Sequence, residues 1–365
     1  MIYTTSTAPA NRRIVISYFF GPGQIPLGEH CAQACEALGW EVTRFNSNKA
    51  SIWYSALIKP LNKIVRAIIR RNVDFVANTP LHPEVRREKE LLGLVREIRP
   101  QVLLVIRGPG FRPEFIESLA QDYGVRTLGW WVKGPKWFDL MVEEARHYQA
   151  YFCIHQEGYS PEANGIEHLP AQALPYVLEG KRTRDGYRHE ISFVGSWHPR
   201  RQSVMTQLAD LPVSIYGTKW RRKNILNPRI FFKVKRRGIW GDEVSQLYRN
   251  SKINLNIAVW DTSKQSGNNL RIAEIPAAEG FLLSEYSPEL SDYFVPGTEI
   301  ETYRTVEELR QKITYYLQHE QERREIARRG WLRAKGLPTY RNLVEHMLDR
   351  SQELLGSPLR CLPIN

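Results

Sequence analysis

The sequence predicts an α/β protein of two lobes, each an open parallel sheet flanked by helices. Three observations carry that expectation. The chain has 365 residues, enough for two cores of ordinary size. Short apolar runs of strand length alternate with helical patterns along most of it. The alternation breaks at a charged, glycine-bearing stretch, residues 175–189, and then begins again.

In the first half, residues 14–20 form an apolar run followed by Gly21-Pro-Gly23. A helical pattern through Cys31, Ala34 and Leu38 ends at Gly39, and residues 40–45 resume as a strand. Residues 91–98 read as a helix stopped by Pro100, and 101–106 as a strand buried on both faces. A helix over 113–123, a strand over 125–131 and a last strand over 151–154 complete this lobe. In the second half, strands are expected at 190–194, 213–216, 253–259 and 281–283, with helices at 201–208, 243–249 and 270–279. From Thr305 onward the pattern is helical, opened by a capping box of Thr305 and Glu308. The expected domains are residues 1–177 and 188–340, with 341–365 as a terminal helix and tail.

Composition narrows the class. Hydrophobic residues at 42% and charged residues at 25% are ordinary for a globular chain. No apolar run approaches the roughly 18 residues of a spanning helix, and the N-terminus lacks the order of a secretory signal. The four cysteines contain no Cys-x-x-Cys pair, which fits reduced thiols and a cytoplasmic protein. The net charge of +12 points to an anionic partner: a nucleotide diphosphate, a phospholipid surface or nucleic acid.

In open parallel sheets ligands bind at the carboxyl ends of the strands, so the loops there are the candidates. In the second half the loop after 190–194 offers Gly195, Ser196 and then Arg200 or Arg201 at a helix start. A phosphate can approach the glycine backbone, and an arginine can neutralise it. The loop after 213–216 offers Lys219 for a phosphate and Trp220 for stacking on a base. The third loop, Asn268-Asn269-Leu-Arg271, opens a helix on which Arg271 and Glu274 share a face. A carboxylate there can accept both hydroxyls of a ribose. In the first half, His30 and Asp139 are candidate bases, and Arg107 follows a buried strand where it can face the cleft.

These residues carry a family resemblance. Tyr248, Lys252, Asn254-Leu-Asn256, Arg271, Glu274, Gly280, Phe294 to Glu299, Tyr315-Tyr-Leu317, Ala327, Gly330 and Tyr340 follow one another in a family's order. Over residues 190–348 the chain resembles the CgeB-like, spore-maturation family of glycosyltransferases. That resemblance implies the GT-B fold, with donor nucleotide on the second lobe, acceptor on the first, and a final helix crossing back to the first. It implies that Glu274 holds the donor ribose, that Gly195, Ser196, Lys219 and Arg271 lie near the diphosphate, and that Asn256 belongs to the donor side. It also implies no metal and no cofactor beyond the nucleotide-diphosphate sugar as co-substrate, cations and helix dipoles standing in for a metal. Two positions depart from the pattern. Ser266 stands eight residues before Glu274, where many retaining enzymes have a glutamate, and Lys133-Gly134 stand where relatives carry acids.

Charge suggests where an acceptor comes from. Residues 59–71 put Leu61, Ile64, Val65 and Ile68 on one helical face and Lys63, Arg66 and Arg70 on another. Such a segment can lie on an anionic membrane and meet a lipid-linked acceptor, or can pack as an ordinary core helix. Residues 219–237 are basic and hold Trp220, Phe231 and Phe232, a pattern that also suits nucleic acid. The functions expected are therefore transfer to a cell-surface or spore glycan or lipid-linked acceptor, transfer to nucleic acid, or non-catalytic binding of a nucleotide sugar.

Overall fold

A computed structural model describes residues 12–21, 25–47, 54–69, 76, 79, 81–106, 110–159, 164–171, 186–236, 238–260, 262 and 269–355. The first lobe runs β1 (Arg12–Tyr18), α1 (Leu27–Ala37), β2 (Trp40–Asn46), a π-helical turn (Tyr54–Ile58), α2 (Lys59–Ile69) and α3 (Pro83–Ile98). It continues with β3 (Val102–Ile106), α4 (Pro113–Tyr123), β4 (Arg126–Trp131), a 3₁₀ turn (Pro135–Trp137), α5 (Phe138–Ala145), β5 (Ala150–Cys153) and β6 (Ile166–His168). All six strands are parallel, in the order β2-β1-β3-β4-β5-β6. The strand expected over 151–154 is therefore not the last. A three-residue strand with one buried position, such as β6, is too short to show an alternation.

The second lobe runs β7 (His189–Val194), α6 (Pro199–Gln207), β8 (Val213–Tyr216), α7 (Trp220–Lys223), α8 (Pro228–Phe231), β9 (Val234–Arg236) and α9 (Asp242–Arg249). Then come β10 (Ser251–Asn256), α10 (Arg271–Ala277), β11 (Leu282–Glu285), α11 (Leu290–Tyr293), β12 (Glu301–Tyr303), α12 (Val306–Gln318), α13 (Glu320–Ala334) and α14 (Tyr340–Leu355). Its parallel sheet has the order β12-β11-β10-β7-β8-β9. The order reverses between β1 and β3 in one sheet and between β7 and β10 in the other, which sets a crevice at each carboxyl edge.

Both faces of each sheet are covered. All five residues of β3 and all six of β4 are buried, as an apolar strand between two helix layers must be. Thr305 Oγ1 accepts from the Glu308 N–H at 3.2 Å, and the Glu308 carboxylate accepts from the Arg304 N–H at 2.7 Å, so the capping pair opens α12. The last helix leaves the second lobe: Tyr340, Leu343, Val344 and Met347 of α14 lie in one core with Ile14, Cys31 and Phe152. His346 and Arg350 of α14 both reach Glu167 at the end of the first sheet, at 2.5 and 3.0 Å. Cys31, Cys35 and Cys153 are buried, and none of the three is in a disulfide. Of the expected linker, residues up to 185 lie outside the described ones. Among the described residues no helix is long and apolar enough to cross a membrane.

Candidate active site

Two βα loops of the second lobe lock together to make the floor of a cavity. Gly195 N–H donates to the Tyr216 carbonyl at 2.8 Å and Trp197 N–H to the Thr218 carbonyl at 3.0 Å. The Ser196 and Thr218 hydroxyls meet at 2.9 Å. Glycine is required at this crossing: a Cβ on Gly217 would overlap the Gly195 carbonyl oxygen. A Cβ on Gly195 would stand 3.0 Å from one Arg201 guanidinium nitrogen and 3.1 Å from one of Arg271.

Those two arginines define the electrostatics. Both guanidinium groups lie over the Phe193 ring, at 5.5 and 5.7 Å from its centroid. Arg201 donates to the Ile257 and Ser196 carbonyls, both at 3.0 Å. Arg271 donates to the Val194 carbonyl at 2.5 Å and to Asn256 Oδ1 at 2.9 Å. Among the described residues neither pairs with a carboxylate. Burial, with Arg271 and Arg200 beside it, pulls Arg201 down to about 9, and burial also lowers Arg271. Two clustered cations with no carboxylate in ion-pair contact face the cavity, an arrangement that suits an anion.

That cavity has a volume of ≈ 370 Å³ and is lined from both lobes. Glu274 enters it one helical turn beyond Arg271 and has no hydrogen-bond partner or ion pair among the described residues. Burial raises its carboxyl to about 7, with Arg271 opposing the shift. Ile239, Asp242 and Val244 line another wall. From the first lobe comes His30, whose ring stacks on Tyr340 with centroids 5.1 Å apart. Its Nδ1 is buried without a partner, and burial lowers its pKa, keeping the imidazole neutral at pH 7.

A second cavity, of ≈ 860 Å³, adjoins the first and shares Ile25, Val259, Asn269 and Leu270 with it. Lys133, Lys136 and Trp137 of the first lobe face His198 and Trp260 of the second across it.

The structure sorts the residues read from sequence. Gly195, Ser196, Asn269, Arg271, Glu274 and His30 line one cavity together. Arg200 does not: it forms a bidentate pair with Glu285, and its neighbour Arg201 faces the cavity instead. Trp220 is fully buried, its indole N–H donating to the Gly195 carbonyl at 2.7 Å, so it braces the loop and is not available to a base. Lys219 is exposed outside the lining, at a left-handed φ of 68°. Asn256 is buried, and its Oδ1 accepts from Arg271 and from Asn269 at 2.9 and 2.8 Å; it positions both without reaching the cavity. Asp139 is exposed on α5, away from both cavities. Arg107 and Asn268 lie outside the described residues. Sequence reasoning missed the wall from Gly238 to Ser245. Its only sequence signal is Gly241, which caps α9 with a φ of 59°.

Residues 200–349 match the family model described as glycosyl transferase-like. Solved structures match nearly the whole chain. Sucrose-phosphate synthase of Thermosynechococcus elongatus aligns at a TM-score of 0.64 and 11% identity, over 95% of this chain and 100% of that one. HepE of Anabaena, solved with UDP-glucose, aligns at 0.61 and 10%, over 93% and 99%. A glycosyltransferase of Rickettsia africae aligns at 0.61 and 12%, over 95% and 100%. No curated protein matches in sequence. The fold is GT-B: two parallel six-stranded sheets facing one crevice.

Proposed function

We propose that the protein is a glycosyltransferase of CgeB-like kind that takes its sugar from a nucleoside-diphosphate sugar. The observation that carries this reading is the pair of arginines, Arg201 and Arg271, that face a cavity beside Gly195 without a carboxylate between them. A diphosphate brings counter-charge into direct contact with both. Glu274 accepts the ribose hydroxyls, and the base lies along Ile239 and Val244. In the transfer step an acceptor hydroxyl oxygen bonds to the anomeric carbon as the bond from that carbon to the diphosphate oxygen breaks. The electron pair leaves on the nucleoside diphosphate, and the acceptor's proton passes to a neutral base, for which His30 stands at the cavity. A panel of UDP-, GDP-, TDP- and ADP-sugars, read by thermal unfolding, tests it. One of them should raise the melting temperature in the wild type and not in Glu274→Ala. No shift with any of the four defeats the reading, and an equal shift in the variant removes Glu274 from the ribose.

A separate observation bears on where the acceptor is met. On the amphipathic helix α2, Leu61, Ile64 and Ile68 of the expected stripe are 55, 57 and 74% exposed, while Val65 is half-buried. Lys59, Lys63 and Arg66 are exposed on the same helix. The alternative of a core-packed helix does not hold for those three exposed residues. We place this stripe on an anionic membrane, where apolar insertion and the cations add. Sedimentation with phosphatidylglycerol vesicles should carry the protein down, and Leu61→Glu with Ile68→Glu should abolish it. Equal binding to phosphatidylcholine vesicles, or none to either, argues against an anionic surface. Nucleic acid stands second, because Trp220 is buried and Phe232, at 78%, is the one strongly exposed aromatic of the basic run 219–237.

A further inference from the structure

A second group of exposed apolar side chains lies in the second lobe, on and beside the turn between α7 and α8. Ile225, Leu226 and Phe232 are 67, 97 and 78% exposed, and Leu226 is the most exposed large apolar residue among those described. The turn is held in place from within. Asn227 N–H donates to the Asn224 carbonyl at 2.9 Å, and buried Asn224 donates from Nδ2 to the Trp220 carbonyl at 2.9 Å. Trp220, Ile230 and Val234 fill the core of the lobe, and Ile225, Leu226 and Phe232 are left outside it. Exposed apolar groups clustered in this way mark a contact with something else. The surrounding charge says what kind. Residues 211–241 hold nine Lys and Arg and no Asp or Glu. Three of these cations have contacts within the chain. Arg221 donates to the Val234 carbonyl at 3.0 Å, Lys223 lies over the Trp197 ring, and Lys233 donates to the Leu211 carbonyl beside Asp210. Arg222, Arg229 and Lys235 are exposed, and among the described residues none of them pairs with a carboxylate. The groups on which Lys235 acts, His189 and Lys233, are themselves basic. Ile225 and Leu226 have no ring to stack on a base, and Trp220, the indole of this run, is buried. Aliphatic tips beside unpaired cations fit the boundary of an anionic bilayer, where the tips leave water and the cations stay with the headgroups.

We propose that the turn between α7 and α8 is a membrane contact of the second lobe, distinct from the α2 stripe of the first. Ile225, Leu226 and Phe232 enter an anionic bilayer, and Arg222, Arg229 and Lys235 meet its headgroups. Two contacts on one chain reinforce each other, so each can be weak and the loss of either removes most of the binding. The turn is also tied to the floor of the donor-side cavity, since the Trp220 that Asn224 holds donates to the Gly195 carbonyl. Lipid contact here therefore holds the lobe that carries Arg201, Arg271 and Glu274 at the bilayer.

Flotation of the full chain with phosphatidylglycerol vesicles tests the contact. Leu226→Glu/Phe232→Glu should bind about tenfold or more weakly, with an unchanged melting temperature. Arg222→Gln/Arg229→Gln leaves the apolar tip intact; it should weaken binding and reduce its sensitivity to salt. An environment-sensitive fluorophore on Leu226→Cys, in a Cys361→Ser background, should brighten and shift to the blue when these vesicles are added. Wild-type affinity in Leu226→Glu/Phe232→Glu, or a fluorophore that stays in water on a vesicle-bound chain, overturns the proposal and leaves α2 as the contact. Loss in Leu226→Glu/Phe232→Glu with full binding by Leu61→Glu/Ile68→Glu supports this contact and refutes the one at α2. No binding to the vesicles by the wild type refutes both. Binding of a single-stranded oligonucleotide in place of vesicles, lost in Phe232→Glu, assigns the run to nucleic acid and overturns the proposal as well.

Discussion

Two buried carboxyls, one in each lobe, show how the same perturbation serves different ends. Glu144 in the first lobe and Glu274 in the second are each raised to about 7, and burial is the leading cause for both. Glu144 lies within the core, where the Tyr151 hydroxyl donates to it at 3.1 Å, and it lines neither of the two cavities. Glu274 has no such partner and lines the cavity with Arg271. One is a packed group whose protonation is a matter of stability; the other is open to a ligand. The lesson is that a shifted pKa marks a functional group only where geometry gives it something to touch.

The largest effect expected is on donor binding. Arg271→Met keeps the bulk of the side chain and removes one of the two unpaired cations, so the stabilising nucleotide sugar should bind about 10- to 100-fold more weakly by calorimetry. Lys133→Glu/Lys136→Glu, in the other cavity, should leave that affinity within about twofold. Comparable losses in both would erase the division between the cavities.

Next comes the pH dependence of the same affinity. If the ionised Glu274 accepts ribose hydroxyls, binding favours the carboxylate, so affinity rises with pH through about 7 and levels above it. A nucleoside-diphosphate sugar has no phosphate group that titrates there, so the slope belongs to the protein. Below that point the loss approaches about tenfold per pH unit, and Glu274→Gln should flatten it. A slope unchanged in the variant would assign the titration elsewhere.

The smallest effect is on stability without ligand. Both carboxyls bind a proton more tightly folded than unfolded, since each is raised from 4.5. Their protonated forms therefore favour the folded state, and stability falls as pH rises from about 4.5 through about 7. Each contributes on the order of 3 kcal/mol at most. Glu144→Gln should remove about half of the slope in urea-unfolding free energy against pH while leaving nucleotide affinity unchanged. A change in that affinity would tie Glu144 to the site after all.

Much of the fold was legible because strands and helices announce themselves by local periodicity. The buried run at 101–106 and the helix from Pro113 to Tyr123 stand close to where their patterns place them. The strands that escaped notice, Ile166–His168, Val234–Arg236 and Glu301–Tyr303, have three residues each, too few to establish a period. At the site, the glycine loops after β7 and β8 were legible for the same reason, since a strand ending in glycine is a local event.

By itself, then, the sequence determined two parallel sheets, their carboxyl edges as the place for ligands, and the loops carrying Gly195, Arg271 and Glu274 there. Only the tertiary structure decided which side chains face the crevice. Arg200 and Arg201 are adjacent on a helix and so point about 100° apart; packing turned the first to Glu285 and the second to the cavity. Packing also buried Trp220 behind Gly195 and brought His30 onto Tyr340 from the far end of the chain. Residue type and spacing record what a segment can form. Which way each group points follows from contacts between segments distant in sequence, and those exist only in the folded chain.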